Sequence, residues 1–172
     1  MTEIRASTPD DVGAIRRIQL AAFGRNAESE LALGLLAREP ACVSLVARES
    51  DSLVGHVLLS PVRVEGRAFA RAPFGLGPLA VLPERQRAGV GSALARAGID
   101  VCRSLGAPFL VVLGHPAYYP RFGFAPAARF GLTFADAGPR DAFMALELAP
   151  DALAGCGGRV RYAEEFHAEE LE

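Results

Sequence analysis

The chain has 172 residues, 51% of them apolar, with 18 basic and 20 acidic side chains and a formal net charge of −2. That length suits one domain over residues 1–172 with an ample core, and the slightly acidic balance argues against the basic surface that nucleic-acid binding normally requires. No apolar run approaches the roughly 18 residues of a membrane span, and Met1-Thr2-Glu3-Ile4-Arg5 has no basic-then-apolar export pattern, so neither nucleic acid nor membrane is expected as a partner.

Residues 2–6 read as a short strand. Thr8-Pro9-Asp10-Asp11 is helix-start chemistry: a hydroxyl able to cap, a proline at the first helical position and two acids opposing the dipole. Val12, Ile15, Ile18 and Ala22 then recur at helical spacing. Phe23-Gly24-Arg25-Asn26 breaks that helix. A second is expected from about Ala27 to Arg38, with Leu31, Leu35 and Leu36 inward. Cys42–Glu49 and Leu53–Val64 form an antiparallel hairpin around Ser50-Asp51-Ser52. Beyond the turn at Glu65-Gly66-Arg67, the segment Phe74-Gly75-Leu76-Gly77-Pro78 leads into an apolar strand ending at Leu82. Its glycines and proline predict a bulge, or an edge that cannot pair continuously.

A third helix, from about Arg87 to Leu105, is expected to bury Val90, Leu94, Ala97, Val101 and Leu105 before stopping at Gly106. The all-apolar Phe109–Leu113 suits a strand covered on both faces. Ala117–Phe122 reads as a helical turn, and Ala128–Phe134 and Ala142–Leu148 as strands about a turn at 137–140. Arg159–Tyr162 is a closing strand before an acidic tail. The order is β-α-α-β-β-β-α-β-α-β-β, a mixed α/β sheet with one right-handed parallel crossover. Its core spans about 2–148, with 149–172 as a C-terminal extension.

Several chemistries can be set aside. Cys42, Cys102 and Cys156 are odd in number and far apart, with no C-x-x-C, which argues against a disulfide framework or a zinc site and fits a reducing cytoplasm. No metal is expected. All 18 basic residues are arginine, so lysine Schiff-base and pyridoxal chemistry are excluded. A P-loop, which needs its lysine, is excluded as well. A dinucleotide fingerprint would need a third glycine where Leu94 stands.

What remains is the stretch from Leu79 to Leu94. An apolar strand ends at Pro83, a polar turn follows, and Gly89 and Gly91 stand at the mouth of a helix. Glycines there let a backbone approach a ligand, and first-turn N–H groups are unpaired donors with a positive dipole behind them. Gln86, Gly89 and Gly91, preceded by Pro83-Glu84, resemble the Q/R-x-x-G-x-G/A acyl-CoA motif of the GNAT N-acetyltransferase superfamily. About thirty residues on, Tyr118-Tyr119-Pro120-Arg121-Phe122-Gly123-Phe124 resembles that family's second, aromatic motif. The run Gly114–Phe124, with Val54-Gly55-His56-Val57 upstream, looks most like its bacterial YhbS-type subgroup.

The resemblance implies a splayed pair of central strands and acetyl-CoA as co-substrate. An acetyl group would pass directly, in a ternary complex, to a primary amine of a small molecule or peptide. It implies that Gln86, Arg87, Ala88, Gly89, Val90, Gly91 and Ser92 cradle the pyrophosphate, with Arg85 and Arg87 able to add charge. The backbone of Leu79, Ala80 and Val81 would run beside the pantetheine arm and supply the oxyanion donor. Tyr119 would be the general acid toward the departing thiolate, and Tyr118 would pack in the core or against pantetheine. No acid stands on the strand where the family often keeps its base. Glu28, Glu30, His56, His115 and Glu84 are the candidates, with His115 at the end of a central strand nearest the expected site.

Two alternatives stay open. The fold could bind acyl-CoA without turnover, as a sensor or interaction module. Gly75 and Gly77 could instead leave room for a hydroxyl acceptor or a longer acyl chain. The acids Glu28, Glu30, Asp136 and Asp141 hint at a cationic acceptor. A homodimer through the C-terminal strands and tail is allowed, without direct support from the residues.

Overall fold

The computed structural model describes residues 1–134 and 140–162. Asp136, nearly all of the expected turn at 137–140 and the tail beyond Tyr162 lie outside them. The described helices are α1 (Val12–Phe23), α2 (Ala27–Arg38) and α3 (Val90–Ser104). None is long and apolar enough to cross a membrane. The main sheet is ordered β1 (Thr2–Ala6), β2 (Val43–Glu49), β3 (Ser52–Pro61), β5 (Phe74–Val81), β6 (Phe109–Leu113), β9 (Phe143–Glu147) and β7 (Ala125–Pro126). A small second sheet places β10 (Gly158–Arg161) between β4 (Arg63–Val64) and β8 (Leu132–Thr133).

Alternation along β3 sorts the layers. Gly55, Val57 and Leu59 face α3, where Val90, Leu94, Ala95, Ile99 and Cys102 close the largest apolar cluster. His56 and Leu58 face the opposite layer. There Ile15 and Ile18 of α1 pack on Val46 and Ala80, and Leu31, Ala32 and Leu35 of α2 pack on Leu58. Farther across the sheet, Phe109 and Val111 of β6 turn from the helices to the second sheet, meeting Val64, Leu132 and Val160. One face of the main sheet is thus shared by α1, α2 and the second sheet, and a cleft opens at their seam.

Four expectations change. The strand expected over 53–64 ends at Pro61: Val62 N–H still donates to Pro73 O at 2.9 Å, but Pro73 has no N–H to return the bond. Arg63–Val64 crosses to pair with β10, carrying Val62 and Val64 into the second core. The helix expected from Arg87 begins at Val90, because Arg87 (φ 62) and Gly89 (φ 90) are left-handed. Its buried stripe is centred on Leu94, Ala95, Gly98, Ile99 and Cys102, with Leu105 past its end and half-exposed. Gly98 sets this rotation, since a Cβ there would stand 2.7 Å from Leu59 Cδ1. The strand expected over 128–134 is instead a 3₁₀ turn at Ala127–Phe130, then left-handed Gly131 and the two residues of β8.

The expected irregularity at Gly77-Pro78 is a bulge against β3: Val57 pairs with Leu79 and Leu59 with Leu76, so two residues oppose one. Gly75 leaves no room for acceptor or acyl chain, because the Tyr162 ring already occupies its face, 2.5 Å from where a Cβ would be. Substituting Gly75→Ala should therefore lower stability by about 1–3 kcal/mol. Adding Tyr162→Leu should return part of that loss. Urea unfolding of the two single variants and the double would show this non-additivity, and simple addition of the losses would refute the contact.

Candidate active site

The strand β5 pairs in parallel with β6 at only three positions, Phe74 with Leu110, Gly75 with Val111 and Leu76 with Val112. From Gly77 onward the two part. Leu82 N–H donates to Val54 O at 2.9 Å, and register then makes Ala80 and His56 the next hydrogen-bonded pair. The backbone groups of Ala80 are therefore spent on β3, while those of Leu79 and Val81 point into the gap left by β6. Gln86 Nε2 donates to Val81 O at 3.0 Å, so the Gln86 side chain braces the strand end.

At the far end of the gap lies a groove of about 430 Å³ lined by Val81, Gln86, Arg87, Gly89, Gly91, Ser92, Tyr118 and Arg121. No side chain caps α3, whose first intrahelical bond runs from Ala93 N–H to Gly89 O at 3.0 Å. The N–H groups of Val90, Gly91 and Ser92 find no acceptor among the described residues, so they remain donors toward this groove. A Cβ built on Gly89 meets nothing within 4 Å; on Gly91 it would meet the Tyr118 hydroxyl at 3.3 Å. Gly89 thus provides the turn and open space, and Gly91 admits Tyr118, whose hydroxyl lies 3.1 Å from Ser92 Oγ. The Arg121 guanidinium stacks 4.3 Å from the Tyr118 ring centroid. Uncapped donors, open space and two arginines fit a diphosphate. Arg85 turns away, clamped on Glu49 by bonds of 2.7 and 2.9 Å.

On the helical side of β5 is a cleft of about 590 Å³, walled by the end of α1, the start of α2, Leu76–Leu79, Leu113–His115, Phe134 and Tyr162. Tyr119 lines it, its ring packed on Gly114. Burial pushes the phenol up to about 12, with Tyr118 adding to the shift. No described residue takes the Tyr119 hydroxyl as a hydrogen-bond partner. His115 is exposed at the cleft rim.

A sequence model of the Acetyltransferase (GNAT) family matches residues 12–124. The chain is 34% identical over 165 residues to the uncharacterized N-acetyltransferase YhbS of Escherichia coli (strain K12), covering 95% of this chain and 98% of that protein. It is 42% identical over 120 residues to the uncharacterized N-acetyltransferase YjhQ of the same organism, across 69% of this chain and 66% of YjhQ. The crystal structure of YhbS from Escherichia coli in complex with CoA matches with a TM-score of 0.88 at 35% identity, over 96% of this chain and 92% of that one. A GNAT family acetyltransferase from Brucella melitensis in complex with acetyl-CoA matches at 0.80 and 34% identity, over 96% and 98% of the two chains.

This chain belongs to the GNAT acetyltransferase family.

In this GNAT chain the candidate bases separate by position. Glu28 and His115 line the cleft with Tyr119. Glu30 sits outside it in a surface ion pair with Arg16 at 2.7 Å, and Glu84 is exposed on the turn after β5. His56 is a core residue. Gln19 Nε2 donates to its Nδ1 at 2.9 Å, which leaves the Nε2 proton for Ser44 Oγ, also at 2.9 Å. The sequence had no signal for Phe23, Arg25, Phe134 or Tyr162 as cleft walls, because Phe23 is the last residue of α1, Arg25 and Phe134 come from loops, and Tyr162 from the C-terminal extension. Arg121, inside the aromatic motif, could have been read as a groove residue from its neighbour Tyr118. Among the described residues no cluster of histidine, cysteine or acid could hold a metal ion.

Burial lowers His56 from its ordinary 6.5 to about 4. Between those values the unfolded chain binds a proton that the fold refuses. The stability this residue carries is therefore complete above about pH 6.5 and declines as pH falls toward 4, by roughly 3 kcal/mol in all. Urea unfolding at pH 7.5 and 4.5 should show this loss in the native chain and a smaller one in His56→Gln. Equal losses would contradict the assignment.

Proposed function

We propose that the chain transfers an acetyl group from acetyl-CoA to the primary amine of a small molecule or peptide, with both substrates bound together. The observation that carries this is the continuity of three features. Uncapped helix donors lead along the free backbone edge of Leu79 and Val81 to a cleft containing Tyr119 and His115. CoA and acetyl-CoA in the matching YhbS and Brucella melitensis structures support the same groove as the cofactor site.

Acetyl-CoA supplies a thioester whose C–S bond is exchanged for the C–N bond of an acetamide. Arg87, Ala88 and Gly89 shape the loop, and Val90, Gly91 and Ser92 offer N–H groups to the pyrophosphate, with Arg87 and Arg121 adding charge. Leu79 and Val81 have N–H groups free to donate to the carbonyl oxygen; one such donor is worth roughly 10²–10³ in rate. Ala80 contributes through its fixed pairing with His56. His115 takes the proton that the ammonium must lose before attack, a task suited to an imidazole. Tyr119 stays protonated throughout the physiological range. At about 12 it is a weaker acid than a thiol of about 8.5. Its contribution is therefore a hydrogen bond to the departing sulfur, while solvent completes the proton transfer.

Isothermal titration should show saturable acetyl-CoA binding, and thiol release should follow on adding an amine. Tyr119→Phe should lower kcat by about 10–100-fold with acetyl-CoA affinity kept. Gly89→Ala should weaken acetyl-CoA binding at least tenfold, since an alanine would be strained at φ 90. Indifference to millimolar acetyl-CoA would overturn the proposal, and tight binding without thiol release from any amine would favour the binding-module reading.

A further inference from the structure

The cleft has a composition that bears on the acceptor. Its volume, about 590 Å³, falls in the range of small-molecule sites. Its described wall is mostly apolar or aromatic, with Phe23, Leu31, Leu79, Leu113, Phe134 and Tyr162 contributing. Glu28, in the first turn of α2, brings a carboxylate into that wall. Its side chain is 17% exposed, against 72% for its partner Arg25.

The Arg25 bonds are unevenly shared. Nε and Nη2 both donate to Glu28 Oε1, at 3.0 and 2.6 Å, whereas Oε2 receives Nε alone at 3.2 Å. A carboxylate has about four lone-pair directions, so Oε2 retains acceptor capacity. A carboxylate paired with Arg25 but keeping one acceptor direction open, set in an apolar wall, suits one ammonium attached to a body that prefers to leave water. A polyamine or a polar peptide would bring further charges and amides to a described wall whose polar side chains are few, chiefly Arg25, His115 and Tyr119 beside Glu28, and most of them would be desolvated there at a cost.

Resting on the acetyl-transfer reading above, we propose that the acceptor is a small primary amine carrying an apolar, aromatic-sized body. Its ammonium sits on Glu28 Oε2, and its body lies against Phe23, Leu31 and Phe134. Glu28 positions the amine, and His115 receives the proton. The amine nitrogen bonds to the acetyl carbon as the C–S bond breaks. Of the three ammonium protons, one passes through His115 to solvent, one ends on the thiol and one stays on the amide.

The test uses the full chain with acetyl-CoA, scoring thiol release for 2-phenylethylamine, spermidine and a lysine-containing polar peptide. The expected result is a kcat/KM for 2-phenylethylamine at least tenfold above the other two. Glu28→Gln should raise its KM about tenfold or more while kcat and acetyl-CoA affinity stay within about threefold; retained acetyl-CoA affinity also shows that the variant is folded. Preference for spermidine or the peptide, or an unchanged amine KM in Glu28→Gln, overturns this inference and leaves acetyl transfer standing. No thiol release with any of the three, despite acetyl-CoA binding, removes the acceptor assignment together with the acetyl-transfer reading.

Discussion

The parting of β5 from β6 after Leu76 is the constraint on which the site depends. Inside a sheet, backbone N–H and C=O groups are normally paired, and leaving them unpaired away from water is costly. Here the bulge at Gly77-Pro78 turns β5 out of register, and the strand keeps β3 on one side while losing β6 on the other. Gln86 satisfies the Val81 carbonyl. The remaining groups of Leu79 and Val81 form an open edge in the middle of the fold, where a ligand can add itself as a strand would.

Everything around that edge is rigidly held. Arg85 clamps the turn after β5 to Glu49, which also accepts Thr2 Oγ1 at 2.8 Å, so the first two strands anchor the loop leading to α3. Behind α3, a buried apolar layer packs the helix on β3, with Gly55 and Gly98 admitting Leu94 and Leu59 at close range. On the opposite face the buried chain Ser7–Ser44–His56–Gln19 ties the start of β2 and the middle of β3 to α1. Within it Gln19 Oε1 is buried without a partner among the described residues, while the bonds that are made hold the two strands and α1 in one arrangement. His56 therefore serves the site at one remove, by holding the strand pair that presents Ala80.

In the proposed reaction the two cavities have separate tasks. The groove at α3 is flanked by two arginines and shaped by the glycine turn at the helix start; the cleft beneath α1 and α2 is walled chiefly by apolar and aromatic side chains. Tyr118 and Tyr119, adjacent in sequence, line one each, with their rings edge to face at 5.1 Å. The second sheet contributes more than bulk. By seating Tyr162 over Gly75 it closes the space at that glycine, while Gly77 stays open to the cleft, and with Phe134 it forms the far wall. β10 lies between β4 and β8 of its own chain.

By itself the sequence determined what is local or periodic. The glycine turn ahead of α3, the apolar strands on either side of that helix, an irregularity at Gly77-Pro78 and the aromatic motif at Tyr118-Tyr119 are written in residues adjacent in the chain. Backbone conformation depends directly on such residues, and this made the family legible. What joins distant segments was decided only in the folded chain. His56 and His115 look alike in sequence, yet one is sealed between Gln19 and Ser44 and the other stands at a cleft rim. Glu28 and Glu30 are two residues apart on one helix, and a turn of roughly 200° sends them to different surroundings. The rotation of α3, the crossing of Arg63–Val64 to the second sheet and the filling of Gly75 by Tyr162 all follow from which surfaces meet. Packing of that kind depends on pairs of residues far apart in the chain, and no single stretch of sequence contains both partners.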